Sequence, residues 1–292
     1  MRKIAIAFIL LTLLAVGVAA QNPPTLRIVT DDPTLPSELF YGNVKVKPLR
    51  LRPGTNVRIT IDDSDFFVMQ HYIDFLSRFP EQQGFNSWMA VLANCPVGDA
   101  VCLHNNRLTT SAGFFGSPEF RIKGYFAYRF YKTSLARQPL YAEIVVDMRN
   151  LTGTTGSEVD AKRTAFTNAW VIRNDFLTSF PRSLTPTQFV DNILTTAGIT
   201  VANRQTIIDN LTTANNTDAG RAGALRAIVE SPEEDTKEFN RAFVYMQYAG
   251  YLRRDPEEPG YSNWLNYLSS HPGDFSEMIR GFMDSIEYRA RF

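Results

Sequence analysis

Apolar and polar residues alternate with two different periods along this chain, and the change of period divides it. Between 21 and 61 the period is two. Leu26 and Ile28, Val44 and Val46, Leu49 and Leu51, and Val57, Ile59 and Ile61 alternate with polar neighbours between Pro and Gly turns, the pattern of short strands. The alternation slips phase at Pro48, where a bulge or break is expected. From Asp62 the period becomes helical. Phe67, Val68, Tyr72, Phe75 and Leu76 fall on one face, with Gln70, His71, Asp74 and Ser77 between them, which predicts an amphipathic helix. Asp62, Asp63, Ser64 and Asp65 offer N-cap acceptors and favourable charge at its start. Arg78 brings a cation to its C-terminal carbonyls, and Pro80 stops it. Gly84 then permits a turn, and Phe85, Trp88 and Leu92 mark the buried face of a second helix. The expected fold is mainly α: units of helix, Pro/Gly turn and helix behind a short N-terminal β segment.

The helical pattern recurs. Phe67 to Leu92 reads FVMQHYIDFLSRFPEQQGFNSWMAVL, and Phe243 to Leu268 reads FVYMQYAGYLRRDPEEPGYSNWLNYL. At an offset of 176, Tyr72, Leu76, Arg78, Pro80, Gly84 and Trp88 match Tyr248, Leu252, Arg254, Pro256, Gly260 and Trp264. Phe114, Ser117, Glu119 and Arg121 then match Phe282, Ser285, Glu287 and Arg289 at an offset of 168. The eight-residue difference falls between Leu92 and Phe114. An eroded copy follows, in which Tyr131, Leu135, Arg137 and Pro139 match Tyr72, Leu76, Arg78 and Pro80 at an offset of 59. The glycine and tryptophan are absent there at the matching positions. Ser117-Pro118-Glu119 and Ser231-Pro232-Glu233 read as N-cap, first-turn proline and acid, and Thr185-Pro186 opens another helix. The expected division is a signal segment over 1–20, a β-rich segment over 21–61, an intact unit over 62–123, eroded units over 124–183 and 184–239, and an intact unit over 240–292. Whether such units stack as a solenoid or close into one bundle is open at this level.

The motif FV-x-x-x-Y-x-x-x-L-x-R-x-P-(D/E)-x-x-G-x-x-x-W, followed later by S-x-E-(F/Y), is satisfied by both intact copies. It resembles the bacterial domain of unknown function 4214 family, from Asp62 to Phe292, strongly at the two ends and weakly between. The resemblance implies an all-helical fold and a setting among secreted and surface-layer-like proteins. It implies no activity, cofactor or catalytic residue.

Composition narrows the classes. Acids and bases balance at 30 each, without the basic excess of a nucleic-acid binder. Apolar residues at 44% exclude a disordered chain. Arg2 and Lys3, an apolar run from Ile4 to Leu14 broken by Thr12, and Val18-Ala19-Ala20 predict a signal peptide cleaved after Ala20. Its loss leaves 28 bases against 30 acids. No Cys follows the run, so no lipid anchor is expected, and no later stretch reads as a membrane span. Cys95 and Cys102 lie in the longer connection of the first copy. An even count, close spacing and an export signal predict a disulfide, worth roughly 2–3 kcal/mol in the chain-entropy model. Two free thiols are the alternative.

Sites of chemistry are sparse. Asp62, Asp63 and Asp65 could gather calcium, but they lack the glycine and distal glutamate of a calcium loop, and helix capping is the simpler reading. His71, His104 and His271 lie in no zinc-protease or nucleophile motif and read as surface residues. Glu81 and Glu257 resemble a carboxylate pair for glycoside chemistry, though partnership with Arg78 and Arg254 is simpler. Tyr245, Tyr251, Tyr261 and Tyr267 offer sugar-stacking rings, or belong to the hydrophobic face. Asn150, Asn210 and Asn215 begin N-x-T triplets. Trp88 and Trp264 are expected in the core, each against the first helix of its own unit. No cofactor, metal or nucleic-acid partner is expected. The functional expectation is a secreted or cell-surface protein with a non-catalytic binding or structural role, in contact with protein or glycan. The alternatives are an extracytoplasmic enzyme on surface polysaccharide with its site in the poorly matched middle, and a subunit docking through its N-terminal strands.

Overall fold

The computed structural model describes residues 50–292, apart from residue 154, and the backbone of three strands ahead of them. β1 (Leu26–Val29), β2 (Glu38–Tyr41) and β3 (Val44–Val46) form an antiparallel sheet in that order. Ile28 stands opposite Leu39, and Leu39 opposite Val46. The alternation marks β1 and β3 but misses β2. The expected signal segment and Leu49 lie outside the described residues. The strand expected over Val57, Ile59 and Ile61 is a correction: the segment is one arm of a tight turn with a lone bridge, Leu51 to Arg58. Pro53 and Gly54 fold the chain back too soon for a ladder, with Gly54 at φ 71°. Thus Arg52 N–H meets Val57 O at 2.9 Å and Ile59 N–H meets Arg50 O at 2.8 Å.

From Ser64 onward the protein is mainly α. α1 (Ser64–Leu76), α2 (Gln82–Ala93) and α3 (Ala100–Gly116) pack pairwise as a first group. A long helix follows, made of α4 (Pro118–Phe120), a π-helical turn (Arg121–Tyr125) and α5 (Phe126–Leu135). The middle holds α6 (Tyr141–Asn150), α7 (Gly156–Trp170), α8 (Asn174–Ser179), α9 (Pro186–Ala197), α10 (Arg204–Thr213) and α11 (Asp218–Val229). α12 (Pro232–Gln247) runs through a second π-helical turn (Tyr248–Leu252), before α13 (Gly260–Ser270), α14 (Phe275–Met283) and α15 (Ile286–Arg289). None of the described helices is long and apolar enough to cross a membrane.

Local chemistry accounts for many boundaries. The hydroxyls of Ser117, Ser231 and Ser285 accept from the backbone N–H groups of Phe120, Glu234 and Tyr288, and Thr185 with Gln188 forms a capping box. Pro80 is not what stops α1, contrary to expectation. The chain turns left-handed three residues earlier, at Ser77 (φ 52°), and likewise at Ala136 (φ 53°) and Arg253 (φ 54°). Arg78 N–H reaches Tyr72 O and Arg137 N–H reaches Tyr131 O, both at 3.4 Å, closing the helix end as a left-handed cap does. The N-cap Asp63 does not cap α1 through its side chain, since it turns back to Thr60 N–H at 2.7 Å, while Asp65 Oδ1 accepts from the first-turn Phe66 N–H at 2.8 Å.

The ends of the helical region close on each other, which settles the architecture against an open solenoid. α1 packs on the Tyr248–Leu252 turn, and α3 packs on α14. Phe75 meets Tyr251, its own match at the offset of 176, with ring centroids 5.0 Å apart. Equivalent residues in contact are the mark of packing about a two-fold axis. Asp74, its side chain 1% exposed, is held at this seam by Arg253 at 2.8 Å and Arg291 at 2.9 Å. Behind the seam, α5 is buried on every side, with Phe126, Tyr128, Phe130 and Tyr131 joined by Arg129, Thr133 and Ser134.

The eight residues by which the two matching stretches differ in length go mainly into helix: α3 has 17 residues where α14 has 9. Cys95 and Cys102 are bonded, with S–S 2.07 Å. Cys102 sits in the first turn of α3 rather than in a loop.

Candidate functional site

The motif residues build clamps. Arg78 lies over the Tyr72 ring at 4.9 Å and bonds Glu119 through two parallel contacts of 2.7 Å. Arg254 lies over Tyr248 at 5.3 Å and bonds Glu287 at 2.6 and 2.9 Å. Glu81 and Glu257 complete these clamps as the second carboxylates. Each arginine also donates to the carbonyl of the next residue, Phe79 at 3.0 Å and Asp255 at 3.1 Å, rather than to the carbonyls ending its helix. Such bidentate pairs fix geometry as well as charge.

Gly84 and Gly260 serve the clamps, not a turn. Both lie in the first turn of a helix. A Cβ on Gly84 would stand 2.2 Å from both the Tyr72 hydroxyl and Glu81 Oε1, and on Gly260 2.4 Å from the Tyr248 hydroxyl. Glycine is needed for close approach. Gly84→Ala should therefore destabilise by roughly 1–3 kcal/mol through overpacking, despite the gain of about 1 kcal/mol from better helix propensity. Adding Tyr72→Phe, which removes one of the two clashing oxygens, should recover part of that loss in urea unfolding. A neutral or stabilising Gly84→Ala would sink the steric account.

The tryptophans differ from expectation. Trp88 and Trp264 are half-buried, and each lies against a third helix rather than the first. A Cβ on Gly113 of α3 would meet Trp88 at 2.2 Å, and one on Gly281 of α14 would meet Trp264 at 3.2 Å. Trp88 also stacks on Phe114 at 5.3 Å. In each case the ring fills the space between the second and third helices.

Other candidates resolve into structure. Asp63 and Asp65 bond Arg52 at 2.7 and 2.8 Å, and Asp62 pairs with Arg107 and Arg289. Among the described residues, no group of three His, Cys, Asp or Glu is placed to hold a metal ion. His71 is fully buried, not superficial as expected. One ring nitrogen faces Phe67 O at 2.9 Å and the other Ser111 Oγ at 2.5 Å. Burial pushes its pKa down to about 4. This Ser–His pair is enclosed within the core. His104 faces Asp284 at 3.5 Å, and His271 stacks on Tyr267 at 4.4 Å. Tyr245, Tyr251 and Tyr261 are buried, and Tyr267 donates to Asp274 at 2.7 Å.

One cleft of about 580 Å3 opens between α6 and α7. Its position follows from the sequence. At the offset of 59, Gly84 is replaced by Glu143 and Trp88 by Asp147. The ring that fills the gap between second and third helices elsewhere is missing here. The clamp survives in altered form: Arg137 lies over Tyr131 at 4.9 Å and bonds Glu143 at 2.7 and 2.8 Å. Glu143 also accepts from Leu140 N–H at 2.7 Å, and its bond to Arg137 holds its carboxyl below the usual range.

Asp147 stands otherwise. One oxygen accepts from the Tyr131 hydroxyl at 2.7 Å, and burial raises its carboxyl above the usual range despite that bond. Its other oxygen has no hydrogen bond among the described residues. Beside it, Arg173 lies over Trp170 at 4.2 Å and over Tyr131 at 5.7 Å, bonded to the Tyr131 side chain and with Asp175 3.5 Å away. The walls are the exposed methyls of Ala142 and Val146 on α6 and of Ala165 and Ala169 on α7. A broader hollow of about 700 Å3 beside α9 and α10 is less equipped. There Asp191 and Arg204 bond each other at 2.6 and 2.7 Å, and Glu233 is taken by Ala202 N–H at 3.1 Å. Neither Glu143, Asp147 nor Arg173 was singled out from sequence as a site residue. The exchange of Gly and Trp for two acids was the available signal.

No curated protein and no solved structure matches this chain. Residues 225–292, from α11 to the last residue, match the model of the family described as Domain of unknown function (DUF4214), and over that stretch the chain is similar to this family.

Proposed function

We propose that this is an exported, non-catalytic binding protein, in which clamped helical units form a scaffold and the eroded middle makes the contact, with protein or glycan at the cell surface. In this reading, 62–123 is a second copy of the unit at the C-terminus, and 124–183 and 184–239 are eroded copies. One observation carries it. Where the motif is intact, its tyrosine, arginine, glutamates, glycine and tryptophan are consumed in internal contacts; where tryptophan gives way to Asp147, a cleft opens.

The enzyme alternative gains some interest from that cleft, since two carboxylates with pKa values pushed apart are a pattern of acid–base chemistry. Glu143 argues against it. Both its oxygens are engaged, by Arg137 and by Leu140 N–H, so it has little left to offer a water or a sugar.

Capture from the envelope fraction, using the mature chain as bait, tests the reading. A glycan or protein retained by the chain and released by soluble competitor supports it. Retention of nothing, or release of reducing ends from envelope polysaccharide, sinks it. Export is tested separately. The order of Arg2-Lys3, the apolar run and Val18-Ala19-Ala20 predicts that extracytoplasmic protein begins at Gln21 on N-terminal sequencing. Full-length chain in the cytoplasm alone would contradict that.

A further inference from the structure

The α6–α7 cleft carries enough detail to name a ligand class, resting on the binding reading above. Its volume of about 580 Å3 falls in the range of small-ligand sites, roughly 300–1,000 Å3. Its lining joins the small apolar side chains Ala142, Val146, Ala165 and Ala169 to the rings of Tyr131, Phe166 and Trp170, an apolar surface that the C–H face of a sugar ring covers. Its charges balance: Glu143 and Asp147 stand against Lys162 and Arg173, which favours no ionic ligand of either sign. At one end an open acceptor, the second oxygen of Asp147, faces the charge of Arg173, whose guanidinium lies over the Trp170 ring and whose side chain stays 33% exposed.

We propose that this cleft binds an uncharged saccharide, with neighbouring hydroxyls bridging Asp147 and Arg173 and the C–H face of the ring against Ala142, Val146, Ala165 and Ala169. A sugar diol supplies one donor and one acceptor side by side, which is the complement of a carboxylate beside a guanidinium. The same sugar ring has an apolar face to cover the methyl walls. No covalent step is involved.

The test uses the mature full-length chain and a panel of neutral oligosaccharides: cellobiose, maltotriose and N,N′-diacetylchitobiose. Calorimetry measures binding, and tryptophan emission reports it through Trp170 beneath Arg173. One member of the panel should bind saturably. Asp147→Trp restores the tryptophan of the intact motif and refills the gap; it should abolish binding. Ala165→Trp, at an exposed position, should do the same without altering the polar pair. Arg173→Gln should weaken binding at least tenfold. Circular dichroism and thermal unfolding show that each variant is folded. Binding that survives both tryptophan variants overturns the assignment, as does a chain that ignores every neutral sugar but takes an envelope peptide or an acidic glycan. If envelope glycan is still captured by Asp147→Trp, the cleft assignment fails while the binding role stands. If the bound sugar is hydrolysed, the non-catalytic reading fails while the cleft assignment stands.

Discussion

Asp74→Ala should destabilise the protein by roughly 3–5 kcal/mol, the usual cost of removing one partner from a buried ion pair. The side chain is 1% exposed, and its Oδ1 takes both Arg253 and Arg291. Without it, two guanidiniums face one another at the seam between the first and last helices. At a sensitivity of about 2–4 °C per kcal/mol, Tm should fall by on the order of 10 °C. Burial alone would raise the Asp74 carboxyl, but the two arginines outweigh it and hold it below the ordinary value. A depressed carboxyl stabilises above its unfolded pKa of about 3.9 and loses that contribution as pH falls through the folded value. The deficit of Asp74→Ala should therefore be constant from neutral pH down to about 5 and shrink only in stronger acid. Replacing Asp74, Arg253 and Arg291 together with apolar residues should recover much of the loss. A deficit under about 1 kcal/mol would show that the seam is held by its aromatic contacts alone.

The second large effect separates the three tryptophans. Trp170 is 1% exposed, donates from its ring nitrogen to Ser134 Oγ at 2.9 Å, and meets Tyr131 edge-on at 4.7 Å. Trp170→Ala should cost roughly 3–5 kcal/mol. From sequence, Trp88 and Trp264 were the rings expected in the core. Both are half-buried, and each should cost only about 1–3 kcal/mol as alanine. In single-tryptophan variants, Trp170 should emit furthest to the blue and resist iodide, while Trp88 and Trp264 are partly quenched. Equal costs, or a reversed order of quenching, would show that the burial assigned to the three rings is wrong.

The contrast explains how far the sequence could be read. Helices and many N-caps were legible because they depend on residues within a turn of each other: Ser117 caps Phe120, Thr185 caps Gln188, and Arg78 pairs with Glu81. The left-handed residues were not legible, because Ser77, Ala136 and Arg253 are not glycines. Neither was the purpose of Gly84, whose decisive neighbour, the Tyr72 hydroxyl, arrives from another helix. His71 read as a surface residue because its partner Ser111 is forty positions away. The cleft was half-legible. The lost glycine and tryptophan were visible, but what occupied their places had no meaning until α6 and α7 were set side by side.

Closure of the seam has a kinetic meaning. The bonds from Asp74 to Arg253 and Arg291 span 179 and 217 positions. Contacts so distant in sequence slow folding, because a long loop must be closed before they are rewarded. A chain made from its N-terminus therefore cannot complete its first helical group until Arg253 and Arg291 exist. Until then the seam faces of α1 and α3, with Phe75 and Phe115, lack the Tyr251 and Phe243 that cover them. Such a face invites aggregation or a chaperone. It also keeps the unfinished chain loose until the stretch from Phe243 to Arg291 arrives.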